Sequence, residues 1–159
     1  MADSHDNMKN VEKAVEIFNK AGVEKVLHAG DIVAPFVTRV LKRLSCEVLA
    51  VYGNNDGEKL FLKKNFEEIN KVGKIKEPPQ LFELDDKRFY LTHNPNQIDI
   101  LAKSGEFDVV VYGHTHDLDL REIRGCLIIN PGETGGWLRE RATVVILDTY
   151  KMKYEVFEL

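Results

Sequence analysis

Residues 109–116 read Val-Val-Val-Tyr-Gly-His-Thr-His, a β-branched run that ends in a glycine and two histidines two positions apart. An apolar run of this length predicts a buried strand, and the glycine marks where the chain turns. The pattern recurs upstream. Residues 26–29 run into Gly30-Asp31, residues 48–52 into Gly53-Asn54-Asn55-Asp56, and residues 89–92, without a glycine, into His93. The N-terminus adds Asp3-Ser4-His5. Ligands of α/β sheets bind beyond the carboxyl ends of strands, so these strand ends are expected to converge on one site.

The intervening segments have helical spacing. Asn7 can cap a helix over 8–21, with Val11, Ala14, Val15 and Phe18 inward and Gly22 as its stop. Pro35 opens a second helix, with Phe36, Val37, Val40, Leu41 and Leu44 on its apolar face. A third is predicted over 59–69, with Leu60, Phe61, Phe66 and Ile69 apolar. The second half turns to hairpins: 81–84 with 88–92, 118–123 with 126–129, and 142–148 with 154–158, plus a short helix over 97–103. βα units followed by hairpins predict two sheets face to face with helices outside. Glu77-Pro78-Pro79-Gln80 reads as an internal loop, and no linker or repeat divides the chain.

Composition sets outer limits. With 159 residues, 43% hydrophobic and 30% charged, the chain reads as one globular domain rather than a disordered segment. A net charge of −4 argues against gripping nucleic acid by bulk charge. The opening MADSHDN lacks a basic-then-apolar leader and the longest apolar runs are strand-length, so a cytoplasmic protein with no membrane partner is expected. Cys46 and Cys126 lack CxxC spacing, which excludes a cysteine-based zinc site, and no bridge between them is expected. Lys63, Lys64 and the charges of 71–76 read as solvated faces.

Four of the five histidines (His5, His93, His114, His116) sit in the strand-end motifs, whereas His28 reads as a core or supporting histidine. In extended backbone, residues i and i+2 point the same way, so Asp3 with His5 and His114 with His116 are expected to present paired ligands. Carboxylate, imidazole and amide oxygen together suit Mn²⁺, Fe²⁺, Zn²⁺ or Ni²⁺ better than Ca²⁺. Asp31 could instead cap the Pro35 helix. Asp56 is expected to support its loop, residues 130–136 to form a turn near the site, and Trp137 to lie at a mouth or a subunit contact. No G-x-S-x-G or P-loop pattern is present.

DSH, GD, GNND, TH and GHTH, in this order, resemble the motifs of the calcineurin-like metallophosphoesterases, and HAGD…YGNNDG…YGHTH…INPGE resembles the small YfcE-type phosphodiesterase branch. The resemblance implies a four-layer α/β/β/α sandwich of two mixed sheets flanked by helices. It also implies two divalent ions, manganese foremost with nickel, zinc or iron as alternatives. Asp3, His5 and His116 would hold one ion, Asn54, His93 and His114 the other, and Asp31 would bridge them. Asp31, Asn54 and His114 are the expected catalytic residues. The implied activity is hydrolysis of a small phosphodiester by a hydroxide that two metals activate, and family members are often dimeric. The retromer scaffold subunit has the same fold, so a catalytically weak or inactive scaffold is the alternative.

Three positions depart from the family pattern. Asn55 stands where many members have His, which removes a natural general acid for the leaving alkoxide. Asn94 follows His93 where Gly is usual. Only Met1-Ala2 precede Asp3, where the family has an apolar strand. Residues 1–159 therefore read as a single metallophosphoesterase domain lacking its first strand. Upstream residues are the expected explanation, and Asp3 and His5 are expected on a frayed end.

Overall fold

The computed structural model describes residues 1–69 and 73–159. Helix α1, Met8–Ala21, forms where its caps lie: Asn7 accepts the Asn10 N–H, and Gly22 closes the helix with a left-handed backbone. Strand β1, Lys25–His28, pairs in parallel with β2, Glu47–Val51, which pairs in parallel with β3, Lys74–Lys76. Between β1 and β2 lie a turn of 3-10 helix, Pro35–Val37, and α2, Thr38–Leu41. Helix α3, Lys59–Glu67, joins β2 to β3.

The second sheet is mixed. Strands β4 (Gln80–Leu84), β5 (Lys87–Leu91), β6 (Val109–Val111), β8 (Cys126–Pro131) and β7 (Leu118–Ile123) lie side by side in that order. The two edge pairs are antiparallel and the inner pairs parallel. Helix α4, Ile98–Ser104, crosses between β5 and β6. The chain ends in the hairpin β9, Thr143–Asp148, with β10, Lys153–Glu158.

Strand alternation sorts the core into layers. Val48 and Ala50 of β2 face α1, α2 and α3, while Leu49 and Val51 face the second sheet. Val109 and Val111 of β6, with Leu127 and Ile129 of β8, meet them there. Val110, Cys126 and Ile128 turn the other way onto Ile98 and Ala102 of α4. The result is the expected helix–sheet–sheet–helix sandwich. Cys46 and Cys126 are free thiols.

Several local expectations are corrected. The Pro35 helix is short, and Phe36 is exposed. Helix α3 buries Leu62 and Phe66, with Ile69 buried just beyond its end, and leaves Leu60 and Phe61 in solvent, because a 3.6-residue period puts Leu62 and Phe66 on one face. Lys74 and Lys76 belong to β3, where they stay exposed as expected of solvated charges and alternate with buried Ile75; Lys71 lies outside the described residues.

The terminus is anchored rather than frayed. The Met1 amine donates to the Leu27 carbonyl at 3.0 Å, the Ala29 N–H to Met1 O, and the Asp3 N–H to Gly30 O. On the other side, Thr134 and Gly135 donate to the carbonyls of Ala2 and Asp3. Three residues thus link β1 to the segment that leads into β9. Burial pushes the Met1 amine down to about 5. Beyond it, a cavity of about 430 Å³ opens between β1 and β9, walled by Met1, Leu27, Val145 and Leu147.

Leu91 is fully buried between the sheets. Leu91→Ala is expected to cost about 2–5 kcal/mol, read as a lower urea midpoint; an unchanged midpoint would refute this account of the core.

Candidate metal centre

The five motifs meet where β1, β2, β5 and β6 end, and their side chains form a continuous chain of contacts. His116 Nε2 lies 3.7 Å from Asp3 Oδ1, and His5 Nε2 lies 3.5 Å from Asp31 Oδ2. His93 Nε2 is 3.5 Å from Asp31 Oδ2 and 2.8 Å from Asn54 Oδ1. His114 Nδ1 is 2.8 Å from the same Asn54 oxygen and 3.2 Å from His93 Nε2. All seven side chains singled out in the sequence are therefore brought together. The donor atoms of Asp3, His5 and His116 lie within 4.8 Å of one another, and so do those of Asp3, Asp31 and His93.

The convergence comes from turns, not from extended strand ends. Asp3, His5, Asp31, His114 and His116 all have left-handed backbones, with φ between 40° and 72°. The two i, i+2 pairs thus reach the site by left-handed turns, which corrects the expectation of extended backbone. The His114 and His116 rings go to different partners, Asn54 and His93 for one, Asp3 for the other. Non-glycine residues in this region are strained, and such strain gathers at functional sites. Glycine is required where the loops touch. A Cβ at Gly53 would collide with the Asp31 carboxylate, and one at Gly113 would lie 2.8 Å from Asp3 Oδ2.

Backbone donors hold the acids in place. Asp3 accepts the His114 N–H at 3.0 Å. Asp31 accepts the backbone and side-chain N–H groups of Asn55, at 2.8 and 2.7 Å. Asp56 accepts from the backbones of Asp31, Ile32, Val33 and Gly53, the supporting role expected of it. Asp31 is not the cap of the Pro35 turn, which has no side-chain cap; the Ala34 N–H donates to Asp6 instead. His28 is buried, with Nε2 3.1 Å from Ser4 Oγ, and burial holds its pKa well below the usual histidine value. Asn94 has no left-handed backbone; its Oδ1 accepts the Asn96 N–H.

One acid escaped the sequence reading. Glu133 is fully buried, and its Oε2 accepts His116 Nδ1–H at 2.7 Å. Its other oxygen accepts the Leu138 and Arg139 N–H groups. Burial alone would raise this carboxyl, but the bonds from His116, Arg139 and Leu138 outweigh it and bring the pKa below the ordinary glutamate value. The signal was present: β8 runs into Gly132-Glu133, the strand–glycine–acid pattern also seen at Gly30-Asp31. Residues 130–136, expected only as a turn, thus supply a functional side chain.

The cluster fits a cation. With Nδ1 donated to the Ala29 carbonyl, His93 turns a lone pair toward Asn54 Oδ1 and Asp31 Oδ2. His5 Nε2 is buried without a hydrogen-bond partner. Burial pushes Asp3 up to about 7; the His116 interaction opposes the rise and nearby Asp31 adds to it. Acceptors facing acceptors, beside buried acids, are what a positive ion relieves.

Such a cluster on a two-sheet sandwich defines a metallophosphoesterase-type site, and the chain belongs to the calcineurin-like phosphoesterase superfamily, whose domain model matches residues 1–152. Among its relatives is phosphodiesterase MJ0936 of Methanocaldococcus jannaschii, 44% identical over 156 residues, spanning 97% of this chain and 93% of that protein. Escherichia coli phosphodiesterase YfcE is 30% identical over 82% of this chain and 75% of its own. A solved archaeal phosphodiesterase superposes with a TM-score of 0.95 at 43% identity, covering 100% of this chain and 97% of that one. Vps29 of Entamoeba histolytica, in complex with zinc, shares the fold at a TM-score of 0.68 and 18% identity, over 92% of this chain and 81% of its own. No helix among the described residues is long and apolar enough to cross a membrane.

Glu133→Gln keeps the shape but can face His116 Nδ1 with an N–H, moving the imidazole proton toward Nε2. Calorimetric titration with Mn²⁺ is expected to read about 10–100-fold weaker binding; unchanged affinity would refute the orienting role.

Proposed function

We propose that this chain is a metal-dependent phosphodiesterase that acts on a small phosphodiester. The observation that carries this reading is the meeting of seven metal-ligand side chains at the strand ends, in a chain 44% identical to a phosphodiesterase. Asp3, His5 and His116 would hold one divalent ion and Asn54, His93 and His114 a second, with Asp31 between. Manganese is the first choice, and nickel, zinc or iron would suit the same donors. When bound, such a pair supplies Lewis acidity toward a phosphoryl oxygen and acidifies water.

The chain's own residues set what the reaction needs. Asp31, Asn54 and His114 line the reacting face, and Asn54 and His114 are its exposed members. Glu133 holds the His116 proton on Nδ1, leaving Nε2 as a donor to metal. Asn55 is bound to Asp31 through both its N–H groups and has no acidic proton for a leaving alkoxide. Esters whose leaving group departs unaided, such as aryl diesters, are therefore favoured over unactivated monoesters. Residues 1–159 act in this reading as one metallophosphoesterase domain. Its setting is the cytoplasm, its partner the diester itself, and pairing into a homodimer is compatible with it.

The alternative is a scaffold of the same fold. A zinc-bound Vps29 means that metal binding alone does not separate the two readings, so turnover must. Hydrolysis of bis(p-nitrophenyl) phosphate with Mn²⁺, Ni²⁺ or Zn²⁺ is expected, and Asn54→Ala or His93→Ala should lower it at least a hundredfold, on the order of one lost transition-state contact. A monoesterase rate above the diesterase rate, or no turnover with any ion, would refute this reading. Complete metal removal is expected to lower the melting temperature, because bound ions stabilise only the folded chain; differential scanning calorimetry reads the shift.

A further inference from the structure

The segment that follows Glu133 does more than orient a histidine. Trp137 is 62% exposed, yet its indole N–H is tied to the His5 carbonyl at 3.1 Å. Its ring lies against Gly135, where a Cβ would come within 2.8 Å of it. Gly135 is itself fixed: its N–H donates to Asp3 O, and its carbonyl accepts the side-chain amides of Asn7 and Asn10. Two residues beyond Trp137, Arg139 donates to the carbonyl of Thr115, the residue between the two site histidines. The 135–139 segment thus runs beside the metal centre, bonded to the backbone of His5 and of Thr115, and it presents a large aromatic face to solvent. An exposed aromatic held this firmly beside a polar site reads as a binding surface.

We propose that Trp137 is the wall of a subsite that stacks a planar aromatic substituent, an aryl ring or a nucleobase, carried on the phosphoryl group bound at the metal centre. The inference rests on the phosphodiesterase reading of that centre and names its substrate class. Charge narrows the choice. The Arg139 guanidinium is engaged by Asp117, with Nε 2.7 Å from Oδ1 and a second contact at 3.0 Å. On this wall the cation is committed and the ring is free, so the wall suits a flat apolar group better than a second phosphate. A docked protein would not require the indole to be pinned to the backbone of a residue whose side chain joins the cluster. Pinning orients the ring for a small ligand and limits the entropy lost on binding.

The test uses the fact that Trp137 is the only tryptophan of the chain, so its fluorescence reports this position alone. Zinc-loaded protein is titrated with benzylphosphonate and with methylphosphonate, neither of which carries an ester to hydrolyse. Both are also measured as inhibitors of bis(p-nitrophenyl) phosphate hydrolysis. Benzylphosphonate is expected to bind about tenfold more tightly than methylphosphonate and to change the indole emission, which methylphosphonate leaves near its starting value. Trp137→Ala should bring that preference close to one, and Trp137→Phe, which keeps a ring but loses the N–H, should restore most of it. Equal inhibition by the two phosphonates with a silent indole would overturn the subsite and leave the phosphodiesterase reading standing. Failure of both phosphonates to bind or inhibit would overturn the reading of the centre and the subsite with it.

Discussion

Buried acids without matching side-chain cations among the described residues are the constraint around which this protein is arranged. Asp3, Asp31 and Glu133 are all excluded from water, and their nearest partners are imidazoles, amides and backbone N–H groups. Each carboxylate is bonded by a loop other than its own, and Glu133 by its own loop as well. Asp3 is bound by the His114 loop, Asp31 by the Asn55 loop, and Glu133 by His116 and by the backbone of 138–139. The acids therefore cross-link the strand ends, and the geometry of the centre is inseparable from the folding of those ends. Asp56 extends the pattern, since one carboxylate fixes the backbones of both Gly53 and residues 31–33.

The strand order makes this cross-linking feasible. Parallel neighbours β1 and β2 in one sheet, and β5, β6 and β8 in the other, deliver their carboxyl ends to the same rim of the sandwich. The tripeptide Met1–Asp3 then joins the two halves of the first layer, bonded to β1 on one side and to 134–135 on the other. The result places His5 and Glu133 on either side of His116, with the His5 and His116 rings stacked 5.1 Å apart. The site depends on very few residues of main chain at this junction, and both of its neighbours are themselves site segments.

The centre and its surroundings divide the chemistry between them. The cluster offers acceptors and little positive charge, which suits metal ions and, through them, a phosphoryl oxygen. Asn55, tied to Asp31, would offer no proton to a leaving group in the proposed reaction. The 135–139 wall contributes area rather than charge, because its arginine is already paired.

Much of this was legible in the residues. Apolar runs ending in a polar ligand type, three of them through Gly, located four of the strand ends, and caps at Asn7 and Gly22 set helix α1. Period and capping are local, so the sequence alone could determine them, along with the seven ligand-type side chains and their order. What stayed hidden was non-local. Lys74–Lys76 became a strand because β2 offered an edge, and α3 turned Leu62 inward because the sheet lay on that side. Glu133 acquired its role from His116, 17 positions earlier, and the paired histidines diverged because their turns are left-handed. Which way a side chain points beyond a strand end depends on the backbone that packs against the turn, and only the tertiary structure decides that.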